Sequence, residues 1–288
     1  MKHTATYLYI MAAALLATAC GGSGRAGTAS EQTMYVTIAP LAEIVGGITG
    51  DDFTLEVLVP AGASPETFEP TPKQFMALNE SKAVFAIGLI DFETALTARM
   101  ADASKVVDLS RGIATETGCC SHHAHGAHHA HGVDPHVWTS PRQLKIMARN
   151  AYEAIHAMYP DSAKYTSAFE KLEERLNALD TECAAACAAS ERKCFVVFHP
   201  ALTYFARDYG MEQIAIEHEG KEPTARRLGQ IIEKARRAGV RHVFYQAQFP
   251  KSTVEVVAGD IGAECTTFDP LAADLTENIR RITRLIVE

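Results

Sequence analysis

The sequence predicts an α/β protein of two lobes with mostly parallel sheets, joined by one long backbone helix. Three observations carry this. Short runs of strand formers alternate with helical stretches in both halves of the chain, which is the pattern of a parallel sheet with covering helices. A single apolar stripe at helical spacing separates the two halves. The 288 residues, 47% of them hydrophobic, can bury a substantial core, and at roughly 150 residues per domain they suggest two.

The first twenty residues come before this fold. Lys2 and His3 lead into an apolar run from Tyr7 to Leu16, then the small residues Ala17, Thr18 and Ala19 precede Cys20. A run this short falls well below the roughly 20 residues that span a bilayer, so residues 1–19 read as a signal peptide. Small residues directly before a cysteine resemble a bacterial lipoprotein signal, which makes Cys20 a lipid anchor. The alternative is a plain secretory signal with an incidental cysteine. Residues 20–31, glycine- and serine-rich, read as the lipidated end and a flexible tether.

The N-terminal lobe is expected over 32–159. Its strands are Met34 to Ala39, Phe53 to Val59, Ala83 to Ile87 and Lys105 to Leu109, with helical segments between them. Ser140-Pro141 reads as a helix start, a hydroxyl cap followed by proline at the first position, and Leu144, Met147, Ala148, Ala151, Ile155 and Met158 make the buried face. Over 160–189, Tyr165, Phe169, Leu172, Leu176, Leu179, Cys183 and Cys187 recur every three or four residues. That is one helix of about 40 Å, a strut between bodies or half of a coiled coil, and the α/β pattern restarting after it favours the strut. The C-terminal lobe, 190–288, opens with the buried strand Phe195 to Phe198. A helix starts at Glu222-Pro223 and stops at Gly239, then come a strand from Val240 to Gln246, a helix from about Ser252 to Ala258, and a strand from Glu264 to Phe268. A last amphipathic helix carries Leu275, Ile279, Ile282, Leu285 and Ile286.

A formal net charge of -8 argues against a nucleic-acid partner, which calls for a basic patch. An acidic surface suits a cation. Besides Cys20 the chain has Cys119, Cys120, Cys183, Cys187, Cys194 and Cys265, which an exported protein is able to pair. Their connectivity stays open. Cys119 and Cys120 are alternatively soft ligands beside neighbouring histidines, and Cys183 and Cys187 alternatively small buried apolar groups.

The chemistry of the chain concerns a metal. Six of the ten residues from 122 to 131 are histidine: His122, His123, His125, His128, His129 and His131. Imidazoles spaced by glycine and alanine mark an accessory metal-binding loop, placed at 119–132. Four further segments set a ligand type beside proline: Ser64-Pro65-Glu66, Asp134-Pro135-His136, His199-Pro200 and Asp269-Pro270. Proline fixes its own backbone and restricts the residue before it, so such a ligand is aimed in advance. In open α/β sheets ligands lie beyond the carboxyl ends of the strands, where His199 and Asp269 fall.

These blocks resemble the metal-binding family of periplasmic solute-binding proteins that feed ABC importers of zinc and manganese. The resemblance rests on Gly62 to Pro72, the Asp134 to Trp138 segment, Phe198 to Gly210, Glu222 to Arg226 and Phe268 to Leu271. The histidine loop is similar to that of the zinc-specific branch. The resemblance implies a metal site in the inter-lobe cleft with ligands at Glu66, His136, His199 and Asp269, and limited hinge motion about the long helix. Zinc members usually carry histidine where this chain has Glu66, and Glu69 competes for the role. The expected function is therefore an extracytoplasmic Zn(II) receptor, anchored to a membrane only through lipid, monomeric, and delivering its ion to an ABC permease. Mn(II) is the alternative ion, because a carboxylate-rich set suits it, while intrinsic affinity and the histidine loop favour zinc. The alternative from another class is an exported zinc hydrolase with Glu66 as general base, weakened by the absence of a His-Glu-x-x-His helix.

Overall fold

The computed structural model describes residues 32–117, 132–217, 223–247, 249 and 251–288. The signal and tether segments, Cys20, Cys119, Cys120, the six clustered histidines and Glu222 lie outside these residues. The first lobe is built on four parallel strands, β1 (Thr33–Val36), β2 (Thr54–Val57), β3 (Ala83–Ala86) and β4 (Val106–Asp108), in the order β2-β1-β3-β4. The helices α1 (Pro40–Thr49), α2 (Pro72–Glu80), α3 (Asp91–Arg99) and α4 (Pro141–Met158) accompany it. After the long helix α5 (Ala163–Ala189) the same layout returns. Strands β5 (Cys194–Val197), β6 (Glu212–Ala215), β7 (His242–Tyr245) and β8 (Glu264–Thr267) pair in parallel as β6-β5-β7-β8, with helices α6 (Thr203–Tyr209), α7 (Ala225–Arg237), α8 (Lys251–Ile261) and α9 (Leu275–Val287). Inner strands β3 and β5 are buried at every position, as parallel strands covered on both faces must be.

Helix α5 carries out its predicted packing but not as a strut across open space. Its stripe from Tyr165 to Cys187 is buried, and it lies against α1 and α4 of the first lobe and α9 at the chain end. One continuous core results. It joins Met34, Phe85, Trp138 and Leu144 to Leu176, Phe205, Phe244, Phe268 and Ile282, and so runs through both lobes. A second cluster fills the outer side of the C-terminal lobe around Val196, Ile231, Val243 and Val257. Cys183, Cys187, Cys194 and Cys265 are free thiols, the first three buried. For the α5 pair this is the small-apolar-group alternative, and burial pushes the Cys183 thiol up to about 11.

Three local expectations differ from the structure. Ser140 precedes α4 but its hydroxyl does not cap the helix, because it donates instead to Asp208 Oδ2 at 2.6 Å, where Gln143 also donates. Helix α7 begins at Ala225 rather than at Glu222-Pro223, with the Thr224 hydroxyl accepting from the backbone N–H of Arg227. Strand β6 and helix α6 were not anticipated, since a half-exposed Glu-Gln-Ile-Ala strand and a seven-residue helix are too short to show a period.

Polar ties cross between the lobes close to the cleft. The Tyr204 hydroxyl donates to the Asp134 carbonyl (2.6 Å), and the Trp138 indole N–H to the Pro270 carbonyl (2.7 Å). Glu43 on α1 accepts from both the backbone N–H (3.0 Å) and the hydroxyl (2.7 Å) of Thr276 on α9.

Candidate metal centre

Glu66, His136 and His199 converge in the cleft between the lobes, each offering one ligand atom, with these atoms all within 4.8 Å of one another. Each sits on a connection that follows a strand, His199 directly and the other two farther along. Glu66 sits in a single 3-10 turn, Pro65–Thr67, in the connection after β2, with Ser64 held extended before the proline. His136 precedes another 3-10 turn, Val137–Thr139, between β4 and α4. His199 follows β5, one of the two strands at which the order of the second sheet reverses. The local rule is the one the sequence suggested: proline beside a ligand keeps the backbone in a narrow range, and the side chain is aimed before any ion arrives.

The far ring nitrogens of both histidines are tied to carboxylates. His136 Nδ1 donates to Asp134 Oδ1 at 2.8 Å, and the His136 backbone N–H donates to the same oxygen at 2.9 Å. His199 Nδ1 donates to Glu217 Oε2 at 3.2 Å. An ionised carboxylate only accepts, so the proton stays on Nδ1 and Nε2 is turned to the cleft in both rings. Trp138 packs on the His136 ring at 5.1 Å between centroids, and Phe249 stacks on His199 at 5.2 Å. Both histidines are about 95% removed from solvent, with relative exposures of 5% for His136 and 4% for His199. Asp134 and Glu217 carried no role in the sequence reading. Asp134 stood in a motif without a stated partner, and Glu217 is 18 residues from His199, at the carboxyl end of β6.

The electrostatics favour positive charge at this point. His199 lies between Glu217 on one nitrogen and Glu66 on the other, with Nε2 at 3.1 Å from Glu66 Oε1. Burial is the largest influence and lowers the imidazole pKa, but the hydrogen bonds and charges of Glu217 and Glu66 together outweigh it and hold His199 at about 10. The Asp134 carboxyl stays below its ordinary value: burial opposes this, and the charge and hydrogen bonds of His136 overcome it. Two carboxylates that hold a proton on a buried imidazole provide the same field for a divalent cation.

The fourth expected ligand stands apart. Asp269 is exposed, its Oδ1 accepts from the Leu271 backbone N–H at 2.9 Å, and its own carbonyl accepts from the Asn278 side chain at 2.7 Å. It lines a wider neighbouring cavity of about 530 Å³, with Gly62, Ala63 and Arg281, rather than the small one of about 20 Å³ that Glu66, His136 and His199 enclose. Glu69 is exposed and outside the cluster.

Two parallel α/β lobes on a shared core, with buried imidazoles and a carboxylate meeting between them, define a two-lobed cation-binding protein. The family model for ZnuA, the periplasmic component A of the zinc-uptake complex, matches residues 34–286, and the chain belongs to this family. Among relatives it is 28% identical over 279 residues to the zinc-binding lipoprotein AdcA of Streptococcus pneumoniae, covering 92% of this chain and 54% of AdcA. It is 28% identical over 285 residues to the high-affinity zinc uptake system protein ZnuA of Bacillus subtilis, covering 92% and 88%. The chain thus spans about half the length of the AdcA relatives it matches. A crystal structure of a ZnuA deletion mutant with zinc bound superimposes with a TM-score of 0.79 at 32% identity, over 89% of this chain and 97% of that one. The family consists of substrate-binding receptors for metal uptake, not enzymes, and gives the hydrolase reading no support.

Proposed function

We propose that this chain captures free Zn(II) outside the cytoplasmic membrane and delivers it to the permease of an ABC importer. The observation that carries the reading is the convergence of Glu66, His136 and His199 within 4.8 Å, each imidazole backed by a carboxylate. Coordination, not catalysis, is the role that the family of metal-uptake receptors gives to such a buried set. The names of the AdcA and ZnuA relatives, zinc-binding and zinc uptake proteins, support zinc as the cargo. The protein acts as a monomer, is held to a membrane through lipid on Cys20 after loss of residues 1–19, and carries its two lobes at 32–159 and 190–288 with 160–189 linking them. Among the described residues no helix is long and apolar enough to cross a membrane. Residues 119–132, through His122, His123, His125, His128, His129 and His131, serve as a weak collector of ions. Asp269 belongs to the outer wall of the cleft.

The test is metal competition on purified protein. One tight zinc equivalent is expected, lost in His136→Ala and in His199→Ala because either change removes a nitrogen donor and opens the geometry. Tight binding in both variants would place the site elsewhere. Glu66 supports a second reading, Mn(II) as cargo, since two nitrogens with a carboxylate suit the harder ion better than three imidazoles do.

A further inference from the structure

One polar group of the cleft has no role in the binding reading. Gln246 follows β7 and is 1% exposed. Its Nε2 donates to the His199 carbonyl at 3.4 Å, which fixes the sense of the amide and turns the oxygen the other way. That oxygen, Oε1, is buried and accepts no hydrogen bond. A buried acceptor without a donor is disfavoured enough that native structures rarely keep one, and an exception of this kind calls for a partner. Gln246 lines the same small cavity as Glu66, His136 and His199. At about 20 Å³ that cavity has room for one water-sized occupant.

The topology explains why the glutamine is there. Strands β5 and β7 are neighbours at the point where the order of the second sheet reverses, and they remain paired at their carboxyl ends, where the Phe198 N–H donates to the Phe244 carbonyl at 2.7 Å. The crevice beyond such a pair is the ligand position of open α/β sheets. His199 and Gln246 are what these two strands deliver to it.

We propose that Gln246 is a further donor of the metal site, presenting its neutral amide oxygen to the ion held by Glu66, His136 and His199. The inference rests on the binding function proposed above. It gives the ion four donors, two imidazole nitrogens, one carboxylate oxygen and one amide oxygen, which is the number a closed zinc site takes. It also leaves Asp269 free to remain at the surface.

The experiment compares native protein, Gln246→Leu, Gln246→Glu and His199→Ala in zinc competition titrations and in the visible spectrum of bound Co(II). Gln246→Leu removes the oxygen and is expected to weaken zinc binding by about tenfold or more, the lower range for losing a supporting group of a metal site. Gln246→Glu keeps an oxygen at the same reach but loses the amide N–H. It is expected to bind at least as tightly as native, with shifted cobalt bands. Native affinity in Gln246→Leu would overturn the proposal, and so would equal weakening in both glutamine variants, which would assign the effect to the bond with the His199 carbonyl. Should Gln246→Leu not fold, the cobalt spectrum of Gln246→Glu decides alone, an unchanged spectrum counting against. Tight binding in His199→Ala would instead remove the underlying site, a result separable from the others.

Discussion

At the scale of single residues, the orientation of each imidazole depends on what its far nitrogen touches. Asp134 is 1% exposed and holds both the ring and the backbone of His136, while Glu217 holds the ring of His199. Asp134→Ala and Glu217→Ala are each expected to lower zinc affinity by roughly 10- to 100-fold with the fold retained, measured by chelator competition beside a thermal unfolding curve. Unaltered affinity in both would mean that the carboxylates serve packing only. Glu66 is the residue expected to set the choice of ion. Glu66→His exchanges a hard oxygen for a nitrogen and should raise the ratio of zinc to manganese affinity, since manganese favours oxygen donors. A constant ratio in parallel titrations would take Glu66 out of contact with the ion. Asp269→Asn should leave zinc affinity close to native, because that carboxylate is exposed and engaged with Leu271. The legibility of the site follows the same division. Glu66, His136 and His199, which the structure brings within 4.8 Å of one another, each carry a local proline mark in the sequence. Asp269 bears the same mark, and the structure turns it to the wider cavity, so the mark does not give a direction. Glu217 and Gln246 act on His199 from 18 and 47 residues away, and no local pattern announces a contact at that distance.

Among the elements, α3 depends on a buried acid. Glu93 is 1% exposed and reaches back over the start of its helix, Oε1 accepting from the Ile87 N–H at 3.0 Å and Oε2 from the Gly88 N–H at 2.8 Å. Gly88 itself has φ of 82°, and a Cβ there would stand 2.6 Å from Asp108, so the turn admits only glycine. Burial is the largest influence on Glu93 and raises its pKa to about 6, against the pull of those backbone donors. A carboxyl whose folded pKa lies above its ordinary 4.5 binds its proton more tightly when folded. Its contribution to stability therefore increases as pH falls from above 6 to below 4.5, by about 2 kcal/mol. Glu93→Gln has no such titration, so the stability of the native protein relative to the variant should rise by about 1.6 kcal/mol between pH 7 and pH 4.5 in urea unfolding. A gap independent of pH would mean that the backbone donors fully compensate the burial. The stem of the histidine loop is a second element with a consequence. Thr117 bridges Val133 in antiparallel fashion, the Asp134 N–H donates to the Glu116 carbonyl at 2.9 Å, and Tyr204 accepts from the Glu116 N–H at 3.2 Å. The two ends are thus closed without the loop. Replacing residues 118–131 by a two-residue turn is expected to leave one tight zinc equivalent and to remove only weaker ones, counted by titration. Loss of the tight equivalent would reverse the primary and accessory roles.

Across the whole molecule, the core decides how far the lobes are able to part. The alternation of strands and helices was legible because the inner strands β3 and β5 are runs of apolar residues and α5 shows seven buried positions at helical spacing. What the pattern did not reveal is that α5 and α9 weld the lobes: Leu176 and Leu179 belong to the same buried cluster as Val36 in the first sheet and as Val197, Phe244 and Ile282 in the second half. Parting the lobes widely would expose that cluster and break the ties of Tyr204 to Asp134, Trp138 to Pro270 and Thr276 to Glu43. Motion on binding is accordingly expected to be confined to the cleft, and the two lobes should unfold together. A single cooperative transition is expected in calorimetry, with the van't Hoff enthalpy equal to the calorimetric one. Zinc bound only to the folded state raises the midpoint by mass action: at a free concentration of about 100 times Kd the added stability is roughly 2.7 kcal/mol, which for a chain of this size is a rise of about 5 to 10 °C. His199→Ala should unfold in one transition as well, with no rise on adding zinc. Two resolved transitions, only one of them moved by zinc, would show that the lobes are independent and that the shared core does not couple them.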